Sequence, residues 1–441
     1  MSSPFERRTD ATTGEQPVAT TPNIPPQRHL PSDNSMKGVP DAVSDLVSFI
    51  SSKFLNQDMD EDDEEFAESA PRQMAALNTL SSILEYYEDY YQETTDHPLL
   101  DLREDFGIGF LLNQLGEDFI EELLQHYLVK MVAEDASSVE MNEEKKNMLL
   151  AVLRTLMWTF PAMYEQTFLM DDIMMFFSKN IKEFMDLYGG KAVNHEDSAA
   201  MYSFTKYVYC LGMIGNIMRI SSDSTTYYIH DGIPQLLINQ LKYKLENFPK
   251  KIKKKLLDVK KIDQDFSFNP GNNTFQELDY LELRFLITSL SILGEYMEVI
   301  QPIMQAGGSS LIIPLLKSKD KCLMSDGLKM SDSLLAHVVF AHQFFEKGCL
   351  KAILKLPHIT YLAGGVSLCL TSIASYSDIM DKICRITSIA EKMTELGLGF
   401  LRSNHTELKR HGCHFFQNAL AYVSVVNRFD KEDGLGVLLC K

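Results

Sequence analysis

Tryptophan occurs once in these 441 residues, at Trp158. No run of alternating apolar and polar residues reaches a convincing strand length, so a core built from sheets is not expected. Hydrophobic residues make up 45% of the chain, yet no apolar stretch reaches the roughly 18–20 uninterrupted residues that a membrane span needs. The expectation is a soluble folded protein with no membrane partner. The opening residues MSSPFERRTDATTG contain no apolar segment, which gives no support to a cleaved secretory signal. Basic residues are in deficit, 42 Lys and Arg against 61 Asp and Glu, for a formal charge of −19. That balance argues against direct nucleic-acid binding, because neutralising phosphates takes a cationic surface.

Motifs of catalysis are missing as well. GxSxG, GxxxxGK[ST], GxGxxG and HExxH do not occur. Asp105, Phe106 and Gly107 spell the DFG of protein kinases, but no HRDxxxxN loop, glycine-rich phosphate cover or strand lysine precedes them, and those parts act together. The seven cysteines, at 210, 322, 349, 369, 384, 413 and 440, are odd in number and form no CxxC pair. They read as reduced core thiols of an intracellular protein. His405, His411, Cys413 and His414 have ligand chemistry without the two-pair spacing of structural zinc sites, and read as a helix start with a buried cysteine. No catalytic, cofactor-binding or metal-binding residue is expected, and the chain is expected not to be an enzyme.

What is present is helical periodicity. Spacings of three and four link Leu77, Leu80, Leu84, Tyr87 and Tyr91; then Leu149, Leu153, Leu156 and Phe160; then Val208, Leu211 and Met218. The rhythm returns in Leu283, Leu286, Leu290, Leu293 and Met297, in Leu334, Val338, Ala341 and Phe345, and in Val366, Leu370 and Ile373. Glycine opens an aliphatic run at Gly232, Gly308, Gly348 and Gly434, at spacings of 76, 40 and 86 residues. These lie near one and two multiples of about 40, the period of armadillo and HEAT repeats. The fold class is therefore all-α, an armadillo/HEAT-like helical-repeat superhelix with a disordered N-terminal tail. Lys441 follows the aliphatic run 435–439 almost directly, with no polar cap in view, so the array looks cut short.

Composition divides the chain into four parts. Residues 1–70 are the tail: six prolines before Gly38, a possible amphipathic helix at 41–55, and at 58–68 eight acidic residues with no basic one. Helical repeats are expected at 71–245 and again at 276–441. Between them, 246–275 is a basic insertion or linker, entered through a stretch, 242–261, with nine lysines against Glu246 and Asp258. KKIKKK at 250–255 reads either as a nuclear-import signal or as a solvated face. Tyr86, Tyr87, Tyr90 and Tyr91 form two adjacent rows on one helix and are candidates for a partner contact.

From about 281 to 439 the chain resembles the amino-terminal region of the Vpr-binding protein family, substrate receptors of ubiquitin ligases built on the type-4 cullin. LSILGEYMEVIQPI (290–303), GGVSLCL (364–370), DIMDKIC (378–384), GCH (412–414) and RFDKEDGL (428–435) occur in family order. The resemblance implies an armadillo-like domain in a nuclear protein that recruits protein substrates for ubiquitination, with the cullin-4 ligase and its damaged-DNA-binding adaptor as family partners. The family's adaptor-docking module resembles a β-propeller, and nothing here reads as propeller strands. The alternative is a stand-alone armadillo-like scaffold with no ligase link.

Overall fold

Leu283, Leu286, Leu290 and Leu293 are fully buried, and they lie on one face of a single helix, as their spacing requires. The computed structural model describes residues 171–247 and 275–439, with residues 128, 132, 146, 147 and 150–154 packed beside them. The tail, the stripe from Leu77 to Tyr91, the tyrosine rows, the DFG tripeptide and residues 248–274 lie outside the described residues. Among the described residues there is helix and no strand, and no single helix is long and apolar enough to cross a membrane.

The helices in order are α1 (Asp171–Tyr188), α2 (Ser198–Ile220), α3 (Ser222–His230), α4 (Ile233–Asn247), α5 (Phe275–Leu293) and α6 (Met297–Ala306). A 3₁₀ turn at Gly308–Leu311 leads into α7 (Ile312–Leu316). There follow α8 (Lys321–Leu335), α9 (Val338–Glu346), α10 (Cys349–Ile353), α11 (Thr360–Ala374), α12 (Ser377–Cys384) and α13 (Thr387–Arg402). The last three are α14 (Thr406–Ala419), α15 (Val423–Lys431) and α16 (Gly434–Leu439).

From α3 onward one unit recurs: a short first helix, a second helix across a tight junction, and a long third helix. The units are α3–α4–α5, α6–α7–α8, α9–α10–α11 and α12–α13–α14, and α15–α16 begin another. The long helices α2, α5, α8, α11 and α14 contact one another in that order. Each would leave its apolar face wet alone, and at about 1.5–3 kcal/mol per buried Leu or Phe the stacking of neighbours is what stabilises the array. This is an all-α helical-repeat fold of the armadillo kind, as expected.

Four of the five first-to-second helix junctions carry a residue with positive φ. Gly232 (83°), Gly308 (53°) and Gly348 (78°) supply it, while in the last unit the left-handed residue is Asp433 (52°), one before the expected Gly434. The spacings take on a different meaning in the structure. Positions 232 and 308 are one unit apart, lengthened by residues 248–274, whereas 348 and 434 are two units apart because the intervening junction at Arg385–Ile386 has no glycine. Not every glycine marks a junction: Gly364 and Gly365 of GGVSLCL sit inside α11.

Two expected stripes also break. Met297 is 69% exposed and starts α6, because α5 ends at Leu293; Val338 is 52% exposed and starts α9, because α8 ends at Leu335. A three-four rhythm runs through a short turn without registering it, so spacing alone joined two helices into one.

Candidate functional site: the stacked-helix face

The long helices stack in parallel, which the cross-unit hydrogen bonds fix. Tyr280 near the start of α5 donates to Asp320, the cap of α8, at 3.1 Å. Tyr361 near the start of α11 donates to Cys322 Sγ at 3.8 Å near the start of α8. Ser372 near the end of α11 donates to Asp332 near the end of α8 at 2.7 Å, and Thr371 donates to the His411 carbonyl at 3.3 Å. Each bond joins residues about one unit apart, so the polar groups hold neighbouring helices in register.

The centre of this face sets two cations against one carboxylate. Arg284 Nε donates to Asp326 Oδ2 at 2.9 Å, both side chains being nearly buried, and Lys329 stands 4.0 Å from Asp326 one turn on. The surrounding protein pushes the Lys329 ammonium below its ordinary value; Asp326 opposes this, and nearby Arg284 and Arg219 add to it. Lys329 nonetheless keeps 44% of its side chain accessible. Its ammonium therefore reaches solvent beside the buried Arg284–Asp326 pair, where a partner's polar groups can meet it. On the side nearer the N-terminus, Asn216 donates to the Arg154 carbonyl at 3.0 Å, and the Arg154 guanidinium lies 4.8 Å from the Phe285 ring centre.

A second polar centre is structural. Lys244 on α4 is paired with Asp279 and Glu282 on α5, and Gln240 donates to Glu282 at 2.7 Å. Burial pushes the Glu282 carboxyl up, with Lys244 opposing. Burial works to lower the Lys244 ammonium, but Glu282 and Asp279 outweigh it and hold it above its ordinary value. The arrangement is a charged lysine between two carboxylates, with Glu282 fully buried and Lys244 and Asp279 nearly so.

At the other end of each long helix runs an aromatic ladder. Tyr296, His337, Tyr376 and Tyr422 stand at the N-cap of α6, α9, α12 and α15, where Ser, Thr, Asp or Asn is usual, and none caps its own helix. Three reach back instead to the preceding unit: His337 Nε2 to the Gly294 carbonyl at 2.8 Å, Tyr376 to the Leu335 carbonyl at 2.6 Å and Tyr422 to the Ser377 carbonyl at 3.1 Å. The signal was in the sequence as an aromatic recurring about every 40 residues, unnoticed because tyrosine and histidine are not cap residues.

The residues with ligand chemistry do not assemble. His411 is buried and bonded through Nδ1 to Ser367 Oγ at 2.9 Å, whereas Cys413 and His414 are exposed. The expectation of a buried cysteine there is corrected: the histidine takes the interior position, because α14 turns residue 411 toward α11. No group of three or more His, Cys, Asp and Glu able to hold a metal occurs among the described residues. Cys210, Cys322, Cys349 and Cys369 are buried thiols outside any disulfide, and burial pushes the Cys210 thiol up to about 12 and Cys349 to about 11, which makes both poor nucleophiles. The face offers recognition by charge and hydrogen bonding, with no reactive group at its centre.

These features define a helical-repeat protein whose long helices stack side by side. Residues 275–387, from the start of α5 to the first residue of α13, match the family model described as the Mahjong helical domain. The chain is similar to DDB1- and CUL4-associated factor homolog 1 of Caenorhabditis elegans, at 34% identity over 155 residues, which is 34% of this chain and 9% of that protein. It is 31% identical over 159 residues to the protein mahjong of Drosophila melanogaster, 35% of this chain and 10% of that one. The factor homolog of Arabidopsis thaliana is 28% identical over 173 residues, covering 37% and 9%. The resemblance to the Vpr-binding protein family therefore holds over this stretch, and the chain spans about a tenth of the length of the curated relatives it matches. Among solved structures, a designed armadillo repeat protein is matched at a TM-score of 0.43 and 12% identity, over 66% of this chain and 99% of that one.

Proposed function

We propose that this chain is the substrate-binding repeat domain of a cullin-4 ubiquitin ligase receptor, that it acts without catalysis of its own, and that it works in the nucleus. One observation carries the reading: residues 275–387, which match the Mahjong helical family model, hold the Arg284–Asp326–Lys329 cluster, in a chain with relatives named as DDB1- and CUL4-associated factors. A receptor needs an extended, rigid surface with few reactive groups, and a stacked array supplies one. Protein substrates are the direct partners; the cullin and its adaptor are partners of the complete receptor.

The test is affinity purification of the chain from nuclear extract at about 0.15 M salt, where weak surface-charge contacts are largely screened. Retained proteins are then followed for ubiquitination before and after depletion of cullin-4. Expected is a retained set, reduced by Lys329→Glu, whose ubiquitination falls on depletion. A retained set indifferent to cullin-4 would leave a scaffold and remove the ligase role.

A further inference from the structure

Parallel stacking places the N-terminal ends of α8, α11 and α14 on one edge of the array, together with the loops that lead into them. That edge is cationic in a chain of net charge −19. Lys317, Lys319 and Lys321 flank the start of α8, Lys355 lies in the loop into α11, and Lys409 is in the first turn of α14; all five are exposed. None forms an ion pair with a described carboxylate. The two acids nearby are already engaged: Asp320 accepts from Leu323 N and from Tyr280, and Glu407 is paired with Arg410. The positive ends of three helix dipoles point the same way. At the opposite edge, where the long helices end, exposed Glu295, Glu298, Asp378 and Asp381 are interspersed with exposed Lys382 and Arg385, so the charge there is mixed.

We propose that this edge is the docking surface for the chain's own acidic segment, residues 58–68. The segment carries eight acids and no base, the complement of the five unpaired lysines. Its eleven residues extend over at most ~36 Å, and three rungs at a helix spacing of ~10 Å span ~20 Å, so one extended segment covers the whole row. A separate acidic partner must approach against the field of a protein of charge −19, whereas a tethered segment meets the edge as an intramolecular event at an effective concentration set by its linker. The occupant in cis is therefore favoured over an acidic protein or a nucleic acid in trans. Docking there leaves the Arg284–Asp326–Lys329 cluster uncovered, so the proposal stands or falls apart from the receptor role.

The test compares the full chain with a variant whose eight acids in 58–68 are replaced by Asn and Gln, using a labelled peptide of residues 56–70 as the probe at 0.05 and 0.15 M salt. Expected is at least tenfold tighter peptide binding by the neutralised variant, because its edge is uncovered, and loss of that gain when Lys317→Glu, Lys355→Glu and Lys409→Glu are added. These three lysines are exposed, so the triple substitution leaves the fold intact, which circular dichroism checks. Equal binding by both chains overturns the proposal. So does a gain that survives the lysine substitutions, and so does a variant that gains affinity for a single-stranded oligonucleotide but none for the peptide.

Discussion

Two glycines illustrate that the same residue answers two different physical demands. Gly348 sits at φ 78°, and a methyl group placed on it meets nothing within 4 Å. Its requirement is purely conformational, and Gly348→Ala is expected to cost about 1–2 kcal/mol, the penalty of a left-handed residue carrying a Cβ. Gly365 has the opposite profile: an ordinary helical backbone inside α11, but a methyl there would stand 2.8 Å from Leu328 Cβ on α8. Leu328 Cβ is fixed to its backbone and cannot swing aside, so α8 and α11 must separate. Gly365→Ala is expected to cost ~1–3 kcal/mol from overpacking even after its better helix propensity returns up to ~1 kcal/mol. Urea denaturation of the full chain measures both, and a stabilised Gly365→Ala variant would show that the two helices are not in close contact. The first kind of glycine was legible as the start of an aliphatic run. The second was quoted in GGVSLCL with no reason attached, since close approach depends on a helix 37 positions away.

Pairs of elements show how the array chooses its register. Asp332 on α8 accepts from Ser372 on α11, yet burial pushes its carboxyl above the usual range, with the Ser372 bond opposing and Glu295 adding to the rise. A carboxyl with a raised folded-state pKa contributes most below its unfolded value, near 4, and loses that contribution as pH rises through the folded-state value. Asp332→Asn keeps an acceptor for Ser372 and removes the cost of the buried charge. The variant is expected to melt at or above the wild-type temperature at pH 7.5, and the difference should shrink as pH falls toward about 4. A variant that melts lower at pH 7.5 would mean that the charged form holds α8 to α11. The helices themselves were legible because buried leucines repeat at three and four. Their breaks at Leu293 and Leu335 were not, because the turns before α6 and α9 are too short to disturb the rhythm and carry Tyr296 and His337 in place of ordinary caps. The Arg284–Asp326–Lys329 cluster was invisible for another reason: Arg284 and Asp326 are 42 positions apart and acquire meaning once the units stack.

For the whole molecule, the decisive property is that each unit touches its neighbours and little else. Phe344 on α9 is fully buried, and Phe344→Ala is expected to cost about 3–5 kcal/mol. In a compact globular core such a loss is spread over the entire domain. In a stacked array it stays within the damaged unit and its interfaces, because stability is close to a sum of unit terms and nearest-neighbour terms. Hydrogen exchange followed by mass spectrometry on the full-length variant should therefore show the largest loss of protection in α9–α11. A smaller loss is expected in α8 and α12, and essentially none in α2, which is separated from the site by α5 and α8. A local response of this kind is what a recognition surface of many rungs requires, since a partner can then bind, bend or order one part of the face while the remainder holds its shape. Equal loss of protection in α2 and α9 would show a single cooperative unit, with the cluster around Lys329 coupled to both ends of the array.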